Sequence, residues 1–272
     1  MSKRALVLGG GGVAGIAWMT GVLAALADGG VDVTGADRVV GTSAGSAVAA
    51  QITSGLPLSA LLERQVDPAL QTLELPSGVL MEELWAKLQK IYESTPDPVE
   101  QRRRVGAMAL AADTISEARR REVIEARLPV HEWPGRDLVI VAVEAVSGEP
   151  RLFEPGSGVE LVDAVAASCA VPGVWPCVTI DEVRYMDGGV RTSTNSDFAA
   201  GFDKVLVLAP MPDLGEPSWA ALDGRVEVIE PDADSLAAVG ADPLAPEVRT
   251  PSARAGYAQG RSAVTQVAAH WK

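Results

Sequence analysis

The sequence predicts one α/β domain, a three-layer α/β/α sandwich around a central, mostly parallel sheet. Three observations predict it. Short apolar runs of strand length alternate with longer helical patterns over most of the chain. Two glycine-rich turns, residues 9–12 and 41–45, each stand between a strand-like run and a helix-like one. The chain has 272 residues, 47% of them hydrophobic, enough for one large core that buries roughly three quarters of the unfolded surface. Such a chain offsets its ordering entropy, which excludes a disordered protein.

The first element is a strand at residues 5–8, apolar up to a glycine and suited to burial on both faces. Residues 14–27 are almost wholly apolar and read as a buried helix, ended by Asp28-Gly29-Gly30. The uncharged run 5–27 follows Ser2-Lys3-Arg4 and has the length of a membrane span or signal sequence. Four consecutive glycines divide it into strand and helix, so it is expected to be neither. Arg38-Val39-Val40 reads as the second strand, cut off by Gly41. Small residues 44–53 form the second helix, closed by Ser54-Gly55-Leu56-Pro57.

Residues 58–128 change character. Segments 81–92 and 117–128 combine helical apolar spacing with many charges, and Thr114-Ile115-Ser116-Glu117 has the form of a capping box. The stretch reads as an amphipathic helical insertion lying on the sheet. Its clusters Arg102-Arg103-Arg104 and Arg119-Arg120-Arg121 are expected on solvated helix faces. Strand character returns at 138–146, and Ser147-Gly148 turns it into Arg151-Leu152-Phe153 as a hairpin. A small-residue helix, 161–170, stops at Pro172. Residues 177–180 and 183–186 flank Asp181-Glu182 as a second hairpin, which runs into Asp187-Gly188-Gly189. The last strands are 204–209 and 225–229, residues 231–251 are expected to be irregular, and a helix at 252–270 closes the single domain 1–272.

Composition excludes several functions. The net charge is −13 with no Lys/Arg stripe, which speaks against nucleic acid and against electrostatic docking to an anionic membrane. Aromatic residues make up only 4%, too few for a base-stacking surface. A neutral ester or lipid entering an apolar groove stays compatible, with transient contact at a membrane surface. Cys169 and Cys177 read as small buried hydrophobes of a reducing compartment, so a cytoplasmic location is expected. No His/Asp/Glu cluster has ligand spacing; the expectation is no metal, no cofactor and no calcium dependence.

The strongest chemical signal is Gly41-Thr42-Ser43-Ala44-Gly45. A serine in this pattern between strand and helix fits a nucleophile elbow, and the helix that follows aims its first amides at negative charge. The alternative is an ordinary Ser/Thr helix cap. The second signal, Gly10-Gly11-Gly12-Val13-Ala14-Gly15, satisfies the dinucleotide pattern G-x-G-x-x-G. That use wants an acid at the end of the next strand, where Val39-Val40 leads into Gly-Thr-Ser. The other use of such a loop is an oxyanion hole made of unhindered amides. Successive parallel strands release both loops on one edge of the sheet, where they can face one pocket.

A serine needs a base. His131 lies in what reads as a surface loop, and His270 lies on a helix that reads as packing. Ser43 also follows only the second strand, too early for the order of an α/β-hydrolase. That leaves a carboxylate. Asp187 is a candidate, since its two following glycines free the backbone to bring it to a neighbouring loop, while taken alone Asp187-Gly188-Gly189 reads as a turn. A free Asp is a poor base, and burial would strengthen it.

Together these motifs resemble the patatin-like phospholipase family. The resemblance spans residues 5–209 and rests on loop 9–15, elbow 41–45, the segment Ala166-Ala167-Ser168-Cys169-Ala170-Val171-Pro172-Gly173, and Asp187-Gly188-Gly189. It implies a Ser43–Asp187 dyad without histidine. Amides at Gly10, Gly11 and Gly12 would form the oxyanion hole, and Gly15, Gly41, Gly45, Gly188 and Gly189 would hold the motif positions. An acyl-enzyme would form on a lipid, lysophospholipid or smaller fatty ester and be released by water. One departure is Ala14, where family members commonly carry Arg or Lys; it weakens the expectation of a phospholipid more than that of an ester. Trp18, Met19 and Val22 read either as acyl-channel lining or as core. Two other classes compete: a nucleotide-binding oxidoreductase using residues 10–15, and a catalytically silent binding protein that keeps the fold.

Overall fold

The computed structural model describes residues 2–213 and 215–272. Five strands run parallel at its centre, in the spatial order β3 (Asp137–Glu144), β2 (Arg38–Thr42), β1 (Arg4–Leu8), β7 (Lys204–Leu208) and β8 (Arg225–Ile229). Three strands in antiparallel pairings complete the sheet: β4 (Pro150–Phe153) and β6 (Val183–Asp187) pair with β3, and β5 (Val178–Ile180) pairs with β6. The expected three-layer, mostly parallel architecture is present.

The pairing of β3 fixes the rest of the molecule's geometry. Ile140 and Val141 pair with Gly41 and Thr42 of β2 and also with Phe153 and Leu152 of β4, so β2 and β4 occupy opposite edges. Ala142 and Val143 pair with β4 and also with Asp187 and Met186 of β6. β6 therefore lies on the same edge as β2, beyond its end. β2 runs up that edge as far as Val141, and β6 runs down it to Ala142. Their C-terminal ends meet head-on.

One face of the sheet carries α1 (Gly12–Asp28), α2 (Ala44–Ile52), α7 (Leu161–Ser168) and α9 (Arg249–Trp271). Residues 13–26 of α1 are buried throughout, because the helix lies between the sheet and α9. The two helices touch backbone to backbone: a Cβ on Gly256 would stand 2.2 Å from the Trp18 carbonyl oxygen. Trp18, Met19 and Val22 belong to this core, and the Trp18 Nε1–H donates to Ser235 Oγ at 3.1 Å and to Gln259 Oε1 at 2.9 Å. Core wins over channel. The opposite face has a thinner cover. Phe198, Phe202, Trp219 and Leu222, in and just after the 3-10 turns Ser196–Ala199 and Ser218–Ala221, pack on Val7, Val40, Val139 and Val207. Towards the end of β3 the cover is α5 (Pro98–Leu110).

The insertion holds α3 (Leu58–Val66), α4 (Met81–Ser94), α5 and α6 (Glu117–Arg127), separated after α3 by a strap, residues 67–80, without helix or strand. Three expectations need correction. Helix α6 is capped by Ser116, whose Oγ accepts the Arg119 N–H at 3.2 Å, so Thr114 does not open a capping box. Arg120 is buried rather than solvated. Three consecutive helical positions sweep about 200°, so they cannot all face water on a helix with a packed side. The stretch expected to be irregular contains α8 (Ala233–Val239), which Asp232 caps by accepting the Ser235 N–H; α9 begins already at Arg249.

Candidate active site

β2 delivers Ser43 at the top of the sheet with φ 52° and ψ −118°, a left-handed conformation that costs a non-glycine residue roughly 1–3 kcal/mol. The flanking glycines serve a different purpose from freeing the turn. A Cβ on Gly45 would stand 1.8 Å from the Leu8 carbonyl oxygen, and one on Gly41 would stand 2.7 Å from the Gly45 carbonyl oxygen. They let α2 close onto β1 and β2, and the strain sits on the serine itself.

The second hairpin delivers Asp187 to the same place. Asp181 and Glu182 both have positive φ, the mark of a tight primed turn that matches strand twist. β6 then runs to Ala142, next to the end of β2. A Cβ on Gly188 would come within 2.3 Å of the Val141 carbonyl oxygen, so this glycine too is a close-approach residue. The Ser43 hydroxyl donates to Asp187 Oδ2 at 2.6 Å, and the Gly189 N–H donates to Asp187 Oδ1 at 2.7 Å. Asp187 is 5% exposed. Burial pushes its pKa up to about 6, against the two hydrogen bonds, which favour the charged form.

In the glycine loop, the Gly10 N–H donates to the Ser193 carbonyl at 2.8 Å and is thereby committed, contrary to its expected place as a free donor. The amides of Gly11 and Gly12, at the N-terminus of α1, donate to no acceptor among the described residues. The loop runs beside the serine: a Cβ on Gly10 would lie 3.6 Å from Ser43 Cβ. Gly15 packs against Pro210 and Ala44.

A sequence model for patatin-like phospholipases matches residues 6–199. The chain belongs to the patatin-like phospholipase family. Among solved structures it is similar to VipD from Legionella pneumophila, with 13% identity over 97% of this chain and 67% of that one, at a TM-score of 0.51. It also aligns with the type III effector protein ExoU, with 19% identity over 97% of this chain and 53% of that one, at a TM-score of 0.44. The chain thus spans about half the length of the ExoU chain. No curated protein matches it. The likeness to VipD supports the fold.

Both histidines of this patatin-like chain lie away from Ser43. His131 is in the loop that enters the N-terminal end of β3, its Nε2 3.0 Å from the Glu125 carbonyl. His270 is buried beside Lys204, Val205 and Arg225, at the N-terminal ends of β7 and β8, the edge opposite the serine. Burial lowers its pKa.

Two further residues position the candidate site: Ser168, which the sequence places in the motif segment 166–173 without a role, and Asn195, which no motif singled out. Ser168, the last residue of α7, accepts the Ser43 N–H at 2.9 Å and donates to the Val141 carbonyl at 2.6 Å, which clamps the elbow to β3. Asn195, in the left-handed conformation at φ 50°, donates from Nδ2 to Thr42 Oγ1 and to the Gly188 carbonyl, both at 3.1 Å. It thus ties the end of β2 to the aspartate loop. The only sequence signal for Asn195 is the small polar run 192–196 after Asp187-Gly188-Gly189. Ser168→Ala leaves a buried N–H and a buried carbonyl unpaired. It is expected to lower stability by about 1–3 kcal/mol, read from a urea midpoint, and to reduce kcat/KM on a neutral ester.

Beside Ser43 lies a cavity whose apolar wall is Val13, Ile16, Val171, Trp175 and Leu244. Its other wall is charged, with Glu74, Arg120 and Arg127. No described helix is long and apolar enough to cross a membrane.

Proposed function

We propose that the protein is a serine acyl-ester hydrolase acting on lipid or fatty-acyl esters through a Ser43–Asp187 dyad. The observation that carries this reading is the 2.6 Å hydrogen bond from Ser43 Oγ to a buried carboxylate whose pKa stands near 6. A base poised there is mostly ionised at neutral pH, yet basic enough to take a hydroxyl proton in the transition state. Ser43 Oγ attacks the acyl carbonyl and its proton passes to Asp187. The alkoxide that forms is met by the amides of Gly11 and Gly12 and by the positive end of α1. Asp187 then protonates the leaving alcohol. Water, deprotonated by Asp187 in turn, releases the acyl group from Ser43. The apolar wall beside Ser43, Val13, Ile16, Val171, Trp175 and Leu244, suits the acyl carbons next to the scissile carbonyl.

The chain acts as the single domain 1–272, and its two free, buried cysteines fit a cytoplasmic location. A fluorophosphonate tests the dyad, since it phosphonylates activated serines. An adduct mapped to Ser43 by mass spectrometry, and lost in Asp187→Asn, supports the reading; no adduct on the folded protein overturns it. The pH dependence follows from Asp187. Because the base must be deprotonated, kcat/KM on a neutral ester should fall about tenfold per pH unit below pH 6 and stay level above it. A profile flat from pH 4.5 to 7 removes Asp187 as the base.

A further inference from the structure

The insertion carries two arginines that the proposed dyad does not use. Arg120 and Arg127 lie about two turns apart on α6, so they project from the same face of that helix. Both are buried, at 5% and 7% exposure, and both line the cavity that contains Ser43. Arg120 Nη1 donates to Glu74 Oε1 at 2.7 Å, and Arg127 Nη2 donates to Glu74 Oε2. Among the described residues, Glu74 is the one carboxylate within ion-pair distance of either. Two guanidinium groups on one carboxylate leave a positive excess in a place where unpaired charge is costly. Arg249, also buried, borders the adjoining cavity with Arg127 and Glu74 and adds to that excess. The chain as a whole is strongly acidic, which makes this local excess the more conspicuous.

Two further observations point to a ligand. Arg120 Nε is buried and has no acceptor among the described residues, so part of this donor fork is unfilled. The Arg120 guanidinium also lies over the Trp175 ring, 3.8 Å from its centroid, which holds the fork in place without the carboxylate. The two arginines sit on a helix, whereas Glu74 sits on the irregular strap, residues 67–80. Burial opposes the charge on Glu74, and the two arginines outweigh it, keeping its carboxyl below the ordinary value. An ionised carboxylate on that strap, which Arg249 Nη1 holds by donating to the Thr72 carbonyl at 2.9 Å, thus fills a pair of cationic forks next to the nucleophile.

We infer that Arg120 and Arg127 form an anion subsite for the phosphate of an acyl ester cleaved at Ser43, and that Glu74 is its resident occupant, displaced when that substrate binds. The inference rests on the hydrolase reading above and narrows it to esters with a phosphate on the alcohol side. Phosphate oxygens match the paired donors of two guanidinium groups as a carboxylate does, and carry more charge. Ala14 supplies no cation within the glycine loop, so α6 supplies those of the cavity.

The test compares kcat/KM on lysophosphatidic acid and on monoacylglycerol with the same acyl chain, in the wild type, Glu74→Gln and Arg120→Gln. The readout is the ratio of the two substrates within each protein, which is insensitive to how much of a sample is folded. The ratio should rise about tenfold in Glu74→Gln, where the competitor has lost its charge, and fall about tenfold in Arg120→Gln. Ratios unchanged in both variants overturn the subsite. Thermal melts with inorganic phosphate follow the same site without turnover: phosphate should raise the Tm of Glu74→Gln and leave the wild type nearly unmoved. No gain in Glu74→Gln overturns the subsite even if that variant is inactive. A gain with unchanged ratios means a free-anion site and overturns the substrate assignment. Absence of a fluorophosphonate adduct on Ser43 in the wild type is a separate failure, that of the hydrolase reading.

Discussion

Asp187→Asn should lower kcat/KM by about a thousandfold and at the same time make the folded protein more stable, by roughly 3 kcal/mol at neutral pH. The loss follows from the role proposed for Asp187: an amide accepts no proton from Ser43. The gain follows from burial. Asp187 has a pKa near 6 in the folded protein, against an ordinary value of 3.8 in the unfolded chain. Below the unfolded value both states are protonated and the group is neutral in its effect. As pH rises from about 4 to 6, the unfolded chain gives up its proton while the folded protein holds on, so the folded state is penalised. Above about 6 the penalty is complete. Asparagine removes it, and its amide keeps a hydrogen bond to Ser43 and another from Gly189. Urea unfolding at pH 7 and at pH 4 checks this: the advantage of the variant should be present at the first and nearly gone at the second. Equal advantage at both would mean that the carboxylate is not desolvated as described.

Gly45→Ala should destabilise the fold by about 3 kcal/mol or more, before any question of activity arises. The added methyl would stand 1.8 Å from the Leu8 carbonyl oxygen, and both partners are backbone, one at the end of the central strand β1 and the other in the first turn of α2. Neither can rotate away as a side chain would, so strand and helix must separate. Gly135→Ala is the control: nothing lies within 4 Å of its Cβ position, and its stability should stay within about 0.5 kcal/mol of the wild type. If Gly45→Ala unfolds at the same urea concentration as the control, the close approach of α2 to β1 is wrong.

Most of the secondary structure was legible in the sequence because it depends on neighbours a few residues apart. The apolar runs of β1, β7 and β8, the all-apolar face of α1 and the Asp181-Glu182 turn each carry their own signal. Where such reading failed, a longer contact overrode it. Three consecutive arginines look solvated until α6 is packed and Arg120 is turned inward onto Glu74. Residues 231–251 look irregular until Ser235 of α8 finds Trp18.

The candidate site divides the same way. Local pattern alone determined that Ser43 stands between a strand and a helix, that glycines precede α1, and that Asp187 ends a hairpin. Only the tertiary structure decided that β2 and β6 share one edge of β3 and meet end to end, which brings Ser43 and Asp187 within 2.6 Å. It alone decided that the Gly10 amide is taken by Ser193, that Ser168 and Asn195 hold the elbow and the aspartate loop, and that Glu74 fills the cationic wall. The physical reason is range: a turn or a helix face is set by steric and hydrogen-bonding preferences between near neighbours, whereas each of these contacts joins residues far apart in the chain and exists only after the sheet has ordered its strands.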